Sequence, residues 1–138
     1  MTVYLDTSVV LRVILRDAEP LASWGSWRKA YSSDLLGVEA RRTLDRLRLL
    51  AALDDEGLAL AHESLARIEA GIDRVPLTRA VLGRAALPLP TSVKTLDAIH
   101  LASALLLRER RVKSLAFLTH DSAQAIGARA LGFACEAV

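Results

Sequence analysis

Four acidic residues of this 138-residue chain stand where a carboxylate needs a reason. Asp6 ends the apolar run Val3-Tyr4-Leu5 and is followed by two hydroxyl residues, Thr7 and Ser8. Asp121 repeats that arrangement behind Leu115-Ala116-Phe117-Leu118 and the Thr119-His120 turn. Asp97 is the only acid in Leu96 to Leu107, a stretch apolar nearly all round. Glu39 falls near the edge of a helical stripe made by Leu36, Ala40, Leu44, Leu47 and Ala51, whereas Asp45 lies on the opposite, solvated side.

Each acid has a plain explanation when taken singly. Glu39 can pair on the surface with Arg42 or Arg46, and Asp121 can cap a helix. Asp97 fits that kind of explanation least. An acid in the first turn of a helix gains about 0.3–1 kcal/mol from the macrodipole, whereas burying an unpaired ion costs several kcal/mol. Asp97 therefore reads as a metal ligand or a buried ion-pair partner. Asp6, at the end of a strand buried on both faces, carries the same desolvation cost. Converging carboxylates repel one another, and a divalent cation removes the repulsion. Oxygen donors alone select magnesium or manganese, and no cysteine/histidine zinc pattern exists. Such a metal lowers the pKa of a bound water for in-line attack on a phosphodiester.

The elements that must position these acids alternate between strand and helix. After the first strand, Ser8 reads as the cap of a helix to about Arg16, and Pro20 opens a short second helix through Trp24 and Trp27. Ala30 to Ser33 reads as a strand, with Ser33 or Asp34 capping a helix to about Leu50. Asp54-Asp55-Glu56 starts a further helix that Gly71 ends. Ile72 to Val75 is a strand, Thr78 to about Ala86 a helix, and the proline-broken 87–92 segment a loop. A helix from about Lys94 to Arg110, a strand over Leu115 to Thr119, a helix from Ser122 to Leu131 stopped by Gly132, and an edge strand from Phe133 to Val138 complete the chain. The alternation implies an α/β domain with a mainly parallel sheet, whose ligand site lies outside the carboxyl ends of the strands.

Composition agrees with one ordered domain spanning 1–138: 52% of the residues are hydrophobic and 25% charged. The lone Cys135 excludes an internal disulfide and makes a reducing, cytoplasmic setting the expectation, with no secretory signal read at the start. The net charge of +2 implies little by itself. With four carboxylates committed to a metal, 18 basic residues face 12 acidic ones, a balance suited to an anionic partner.

In Tyr4-Leu5-Asp6-Thr7-Ser8, Ser33-Asp34-Leu35-Leu36-Gly37-Val38-Glu39, Leu96-Asp97-Ala98-Ile99-His100-Leu101-Ala102 and Leu118-Thr119-His120-Asp121, the chain resembles PIN-domain ribonucleases of the VapC toxin type. The order and separations fit over essentially the whole length. The resemblance implies a three-layer α/β/α sandwich with a five-stranded parallel sheet, a Mg2+- or Mn2+-dependent endoribonuclease, and usually a homodimer. It also implies an RNA substrate, transfer or ribosomal, and a cognate antitoxin that wraps the groove near the site. Carried over, Asp6, Glu39, Asp97 and Asp121 are the catalytic, metal-binding acids, with Asp6 and Asp97 as direct ligands and Thr7, Ser8 and Thr119 lining the site. Some relatives carry a further acid just after the position of Asp121; Ser122, Ala123 and Gln124 supply none. Trp24 and Trp27 are candidates for an antitoxin-binding surface or for core packing. His100 can touch the site or simply sit semi-buried and hydrogen-bonded. Arg41, Arg42, Arg46 and Arg48 give the Glu39 helix a basic face, solvated by default and able to meet phosphate.

Two rival readings have their own signatures. A phosphatase would use Asp6 as a nucleophile, yet the second aspartate such enzymes place two residues on is Ser8 here. A catalytically inactive PIN-like module for RNA binding or assembly would need some defect other than a missing acid.

Overall fold

The computed structural model describes residues 1–16, 18–110, 112 and 114–137. Its strands, β1 (Thr2–Leu5), β2 (Lys29–Ser33), β3 (Asp73–Val75), β4 (Leu115–Thr119) and β5 (Ala134–Ala137), form one sheet in the order β3-β2-β1-β4-β5, and every pairing is parallel. The helices are α1 (Thr7–Leu15), α2 (Leu35–Leu49), α3 (Asp55–Ala70), α4 (Arg79–Ala85), α5 (Thr95–Glu109) and α6 (Ser122–Ala130).

Strand alternation divides the core into two layers. Val3, Leu5 and Leu118 face one way, into a cluster with Val9, Val10 and Ile14 of α1, Leu36, Ala40 and Leu44 of α2, and Ala61 and Leu65 of α3. Tyr4, Leu115 and Phe117 face the other way, against Leu101, Ala104 and Leu105 of α5 and Ala128 of α6. The inference that α5 is buried on most sides holds: Ala98 to Leu105 are all buried. These two apolar layers make the α/β/α sandwich.

From β1 the chain builds outward through β2 to β3, then crosses back to lay β4 and β5 on the other side. β1 is therefore the switch point, where parallel sheets open a crevice at their carboxyl ends. The register brings Leu5 opposite Leu118, and the Asp6 N–H donates to Leu118 O at 3.0 Å. Both aspartate-bearing strand ends thus stop at the same level.

The strand assignments hold to within a residue or two, β5 running Ala134–Ala137, with Val138 outside the described residues. The expected helix from Pro20 through Trp27 does not form. Trp24 N–H to Leu21 O and Ser26 N–H to Ser23 O close separate turns, and Gly25 takes φ +80°, a left-handed conformation that ends any helix there. Trp24 and Trp27 consequently do not share a helical face. Their rings meet edge to face at 5.0 Å and pack, half-buried, on the α1–α3 side of the core. The cap expected at Ser8 is also displaced: α1 begins at Thr7, with Asp6 in the N-cap position making no capping bond. Gly71 does end α3, but at φ −97°, so its left-handed freedom goes unused there.

Candidate active site

At the ends of β1 and β4 the backbone is stitched together by two hydroxyls. Ser8 Oγ and Thr119 Oγ1 each donate to Asp6 Oδ2 at 2.8 Å. The same hydroxyl oxygens accept from backbone amides, Ser8 from His120 across the crevice and Thr119 from Asp121 two residues on, both at 3.0 Å. Asp6 itself is only 4% exposed. One of its oxygens is thereby tied to the fold, while Oδ1 faces His100 Nε2 at 3.9 Å.

Glu39 reaches this centre from α2. Its Oε1 accepts from Thr7 Oγ1 at 2.8 Å and lies 2.6 Å from His100 Nε2. Surface pairing with Arg42 or Arg46 does not occur; Arg42 instead bridges to Asp45 at 2.8 Å. Burial pushes the Glu39 carboxyl upward, but the hydrogen bond from His100, helped by that from Thr7, outweighs it and holds the group below its ordinary value. His100 is fully buried, and its Nδ1 stands 2.8 Å from the Tyr4 hydroxyl.

Asp97 lies in the first turn of α5, partly buried, with its carboxyl pushed up to about 6. Burial is the largest cause, followed by the charges of Asp6 and Asp121; His100 opposes them and Glu39 adds to them. The other three acids therefore all act on Asp97 through space. Asp121 fills two roles at once: its Oδ1 accepts from the amides of Ala123 and Gln124 at 2.9 and 3.1 Å, capping α6, and its charge still reaches Asp97.

A divalent cation suits this donor set. The raised Asp97 carboxyl reports burial and negative charge that His100 only partly opposes, and the carboxylates supply oxygen donors. Among the described residues, no group of three or more His, Cys, Asp or Glu side chains stands close enough together to hold a metal ion.

Two contributions escaped the sequence, those of Tyr4 and Gln124, and a third, that of His100, is one the sequence leaves open between two roles. Tyr4 reads as a core aromatic, yet its hydroxyl meets His100. Gln124 is fully buried, and its Nε2 donates to the Asp97 carbonyl at 3.0 Å, tying the start of α5 to α6. His100 touches the site through Nε2 rather than standing apart from it. The only sequence signal for any of them is a polar atom on an otherwise apolar element. The basic face of α2 is mostly consumed locally, because Arg41 pairs with Glu69 and both Arg42 and Arg48 pair with Asp45. Arg46 is exposed and has no ion pair among the described residues.

Comparison with known proteins places the chain in a family. The family model of the PIN domain matches residues 3–128. Ribonuclease VapC47 of Mycobacterium tuberculosis (strain CDC 1551 / Oshkosh) is 30% identical over 133 residues, covering 95% of this chain and 93% of the relative. The crystal structure of VapBC-5, a member of the VapBC family of toxin-antitoxin systems from Mycobacterium tuberculosis, superposes with a TM-score of 0.54 over 99% of this chain and 97% of that one. At 17% identity the latter similarity is one of fold.

Proposed function

The chain belongs to the PIN-domain family and is related to VapC ribonucleases, and from that premise we propose that it is a metal-dependent endoribonuclease, the toxin of a toxin–antitoxin pair. The observation that carries the proposal is the carboxyl of Asp97, displaced to about 6 by burial and by the charges of Asp6, Asp121 and Glu39. Charge left so uncompensated is costly in a merely structural protein and useful in one that binds a cation.

Asp6 and Asp97 would hold the magnesium or manganese ion, with Glu39 and Asp121 contributing through water or by orienting the nucleophile. When bound, the ion supplies an activated water and neutralises charge developing on the phosphodiester. The chain's own residues do the positioning. Ser8 and Thr119 fix Asp6 through one oxygen and leave Oδ1 for the site. Thr7 and His100 hold Glu39 ionised, the state required of a group that orders or accepts a proton from water. An Asp6 nucleophile fits less well, because the side chain is almost entirely buried and braced by two hydroxyl donors.

Structured transfer or ribosomal RNA is the substrate class we propose. Exposed apolar side chains on and beside α4, Leu77, Leu82 and Leu87, support partner surfaces of the kind that a cognate antitoxin or a second copy of the chain would cover. Purified protein free of antitoxin should cleave structured RNA with added magnesium or manganese and stop with chelator or in Asp6→Asn. Cleavage indifferent to both would sink the mechanism. Induced expression should arrest growth and Asp97→Ala should abolish the arrest; arrest that persists in a folded Asp97→Ala protein would count against the toxin reading.

A further inference from the structure

Behind the His100–Glu39 contact lies a further buried polar contact, to Tyr4, that the site chemistry so far does not require. Tyr4 lies in the central strand with no exposed surface, its ring stacked on Phe117 at 5.2 Å. A phenylalanine would fill that slot as well, so the hydroxyl calls for its own explanation. It sits 2.8 Å from His100 Nδ1, and His100 Nε2 sits 2.6 Å from Glu39 Oε1.

We propose that Tyr4 is a positioning residue whose hydroxyl selects the tautomer of His100, so that the Nε2 proton is held on Glu39 and the carboxylate is aimed into the site. The inference rests on the ribonuclease reading for its catalytic meaning, but its proton bookkeeping stands on geometry. A neutral imidazole carries one proton. If Nδ1 carried it, the bare lone pair of Nε2 would confront a carboxylate oxygen at 2.6 Å. With the Tyr4 hydroxyl donating to Nδ1, the ring proton goes to Nε2 and donates to Glu39, and every contact joins a donor to an acceptor. Thr7 Oγ1 donates to the same Oε1. That oxygen is therefore anchored by two donors, which leaves Oε2 to the site. Buried partners that orient a ligand or a base commonly matter about 10–100-fold in affinity or activity.

The decisive measurement is long-range proton–nitrogen NMR of the imidazole nitrogens in the intact protein without added metal, with the His100 signals assigned by their loss in His100→Gln. Wild type should show one proton, on Nε2. A proton on Nδ1, or on both nitrogens, overturns the inference. Tyr4→Phe should shift the ring toward a mixture of tautomers and, with magnesium or manganese and RNA, lower kcat about 10-fold with KM nearly unchanged. An unmoved tautomer together with unmoved kcat also overturns it. His100→Gln, which keeps a donor near the Nε2 position, should retain more cleavage than His100→Leu; equal losses would reduce the histidine to packing. Should wild type cleave no RNA, the ribonuclease reading fails, and the ring nitrogens still decide the tautomer inference.

Discussion

Asp97 sets the terms at the scale of single residues. Below its ordinary value of 3.8 the carboxyl is protonated whether the chain is folded or not, and it costs nothing. As the pH climbs from 3.8 through about 6, the folded state is increasingly penalised, because the unfolded chain ionises first. The full displacement corresponds to about 3 kcal/mol; partial exposure and screening reduce this to about 1 kcal/mol. Asp97→Asn should therefore stabilise the metal-free protein at pH 7.5, raising Tm by roughly 4 °C, while leaving it unchanged near pH 3.5 and abolishing cleavage. Thermal melts at the two pH values check this, and equal shifts at both would show that charge is not the cause. By the same reasoning, magnesium or manganese should raise Tm more at pH 7.5 than at pH 4.5. Asp121 separates two functions that share one side chain. Asp121→Ser keeps an oxygen for the amides of Ala123 and Gln124 and should cost only a few tenths of a kcal/mol, whereas Asp121→Ala should cost about 1 kcal/mol. Both should impair cleavage, because both remove the charge.

Elements hold the acids through close packing. Gly127 of α6 is one of the two helical glycines that test it. A Cβ there would lie 3.1 Å from Leu101 Cδ1 and 3.2 Å from both Thr91 Oγ1 and Val93 Cγ1. Leu101 is fully buried and cannot retreat, so Gly127→Ala should destabilise by about 1 kcal/mol in spite of alanine's better helix propensity. Gly83 of α4 has nothing within 4 Å of its would-be Cβ, and Gly83→Ala should stabilise by about 0.5–1 kcal/mol. Denaturant titration of the pair measures whether α6 is seated as tightly on α5 as the distances imply; the same sign for both would refute it. Because Gln124 ties α6 to the Asp97 carbonyl, loosening α6 should also lower cleavage more than the loss of stability explains.

For the molecule as a whole, the site is a property of the sheet. β1 is paired on both sides, and its carboxyl end is where β4 stops. The two core layers meet across it, through Val3 and Leu5 on one face and Tyr4 on the other. Native-state hydrogen exchange should therefore find the slowest amides in β1 and β4, with the three-residue edge strand β3 opening much earlier. If β1 opened together with β3, the site would not rest on the most stable part of the fold.

Much of this was legible without coordinates, for identifiable reasons. Buried parallel strands and amphipathic helices write their periodicity locally, so the strand–helix alternation and the four unusual acids could be read directly. Local signals failed where partners come from elsewhere. Ser8 has the chemistry of a helix cap, but Asp6 and the His120 amide take up its hydroxyl. Pro20 to Trp27 has a helix-like start, but Gly25 turns left-handed and the tryptophans fold onto the core. Residue types and their order by themselves determined the fold class and which acids lie at strand ends or on buried helix faces. Only the tertiary structure decided that Glu39 belongs to His100 and Thr7 rather than to its neighbouring arginines, and that a core tyrosine lends its hydroxyl to the site. The physical reason is that hydrogen bonds form in space, between groups 32, 61 and 96 residues apart, and no local pattern records them.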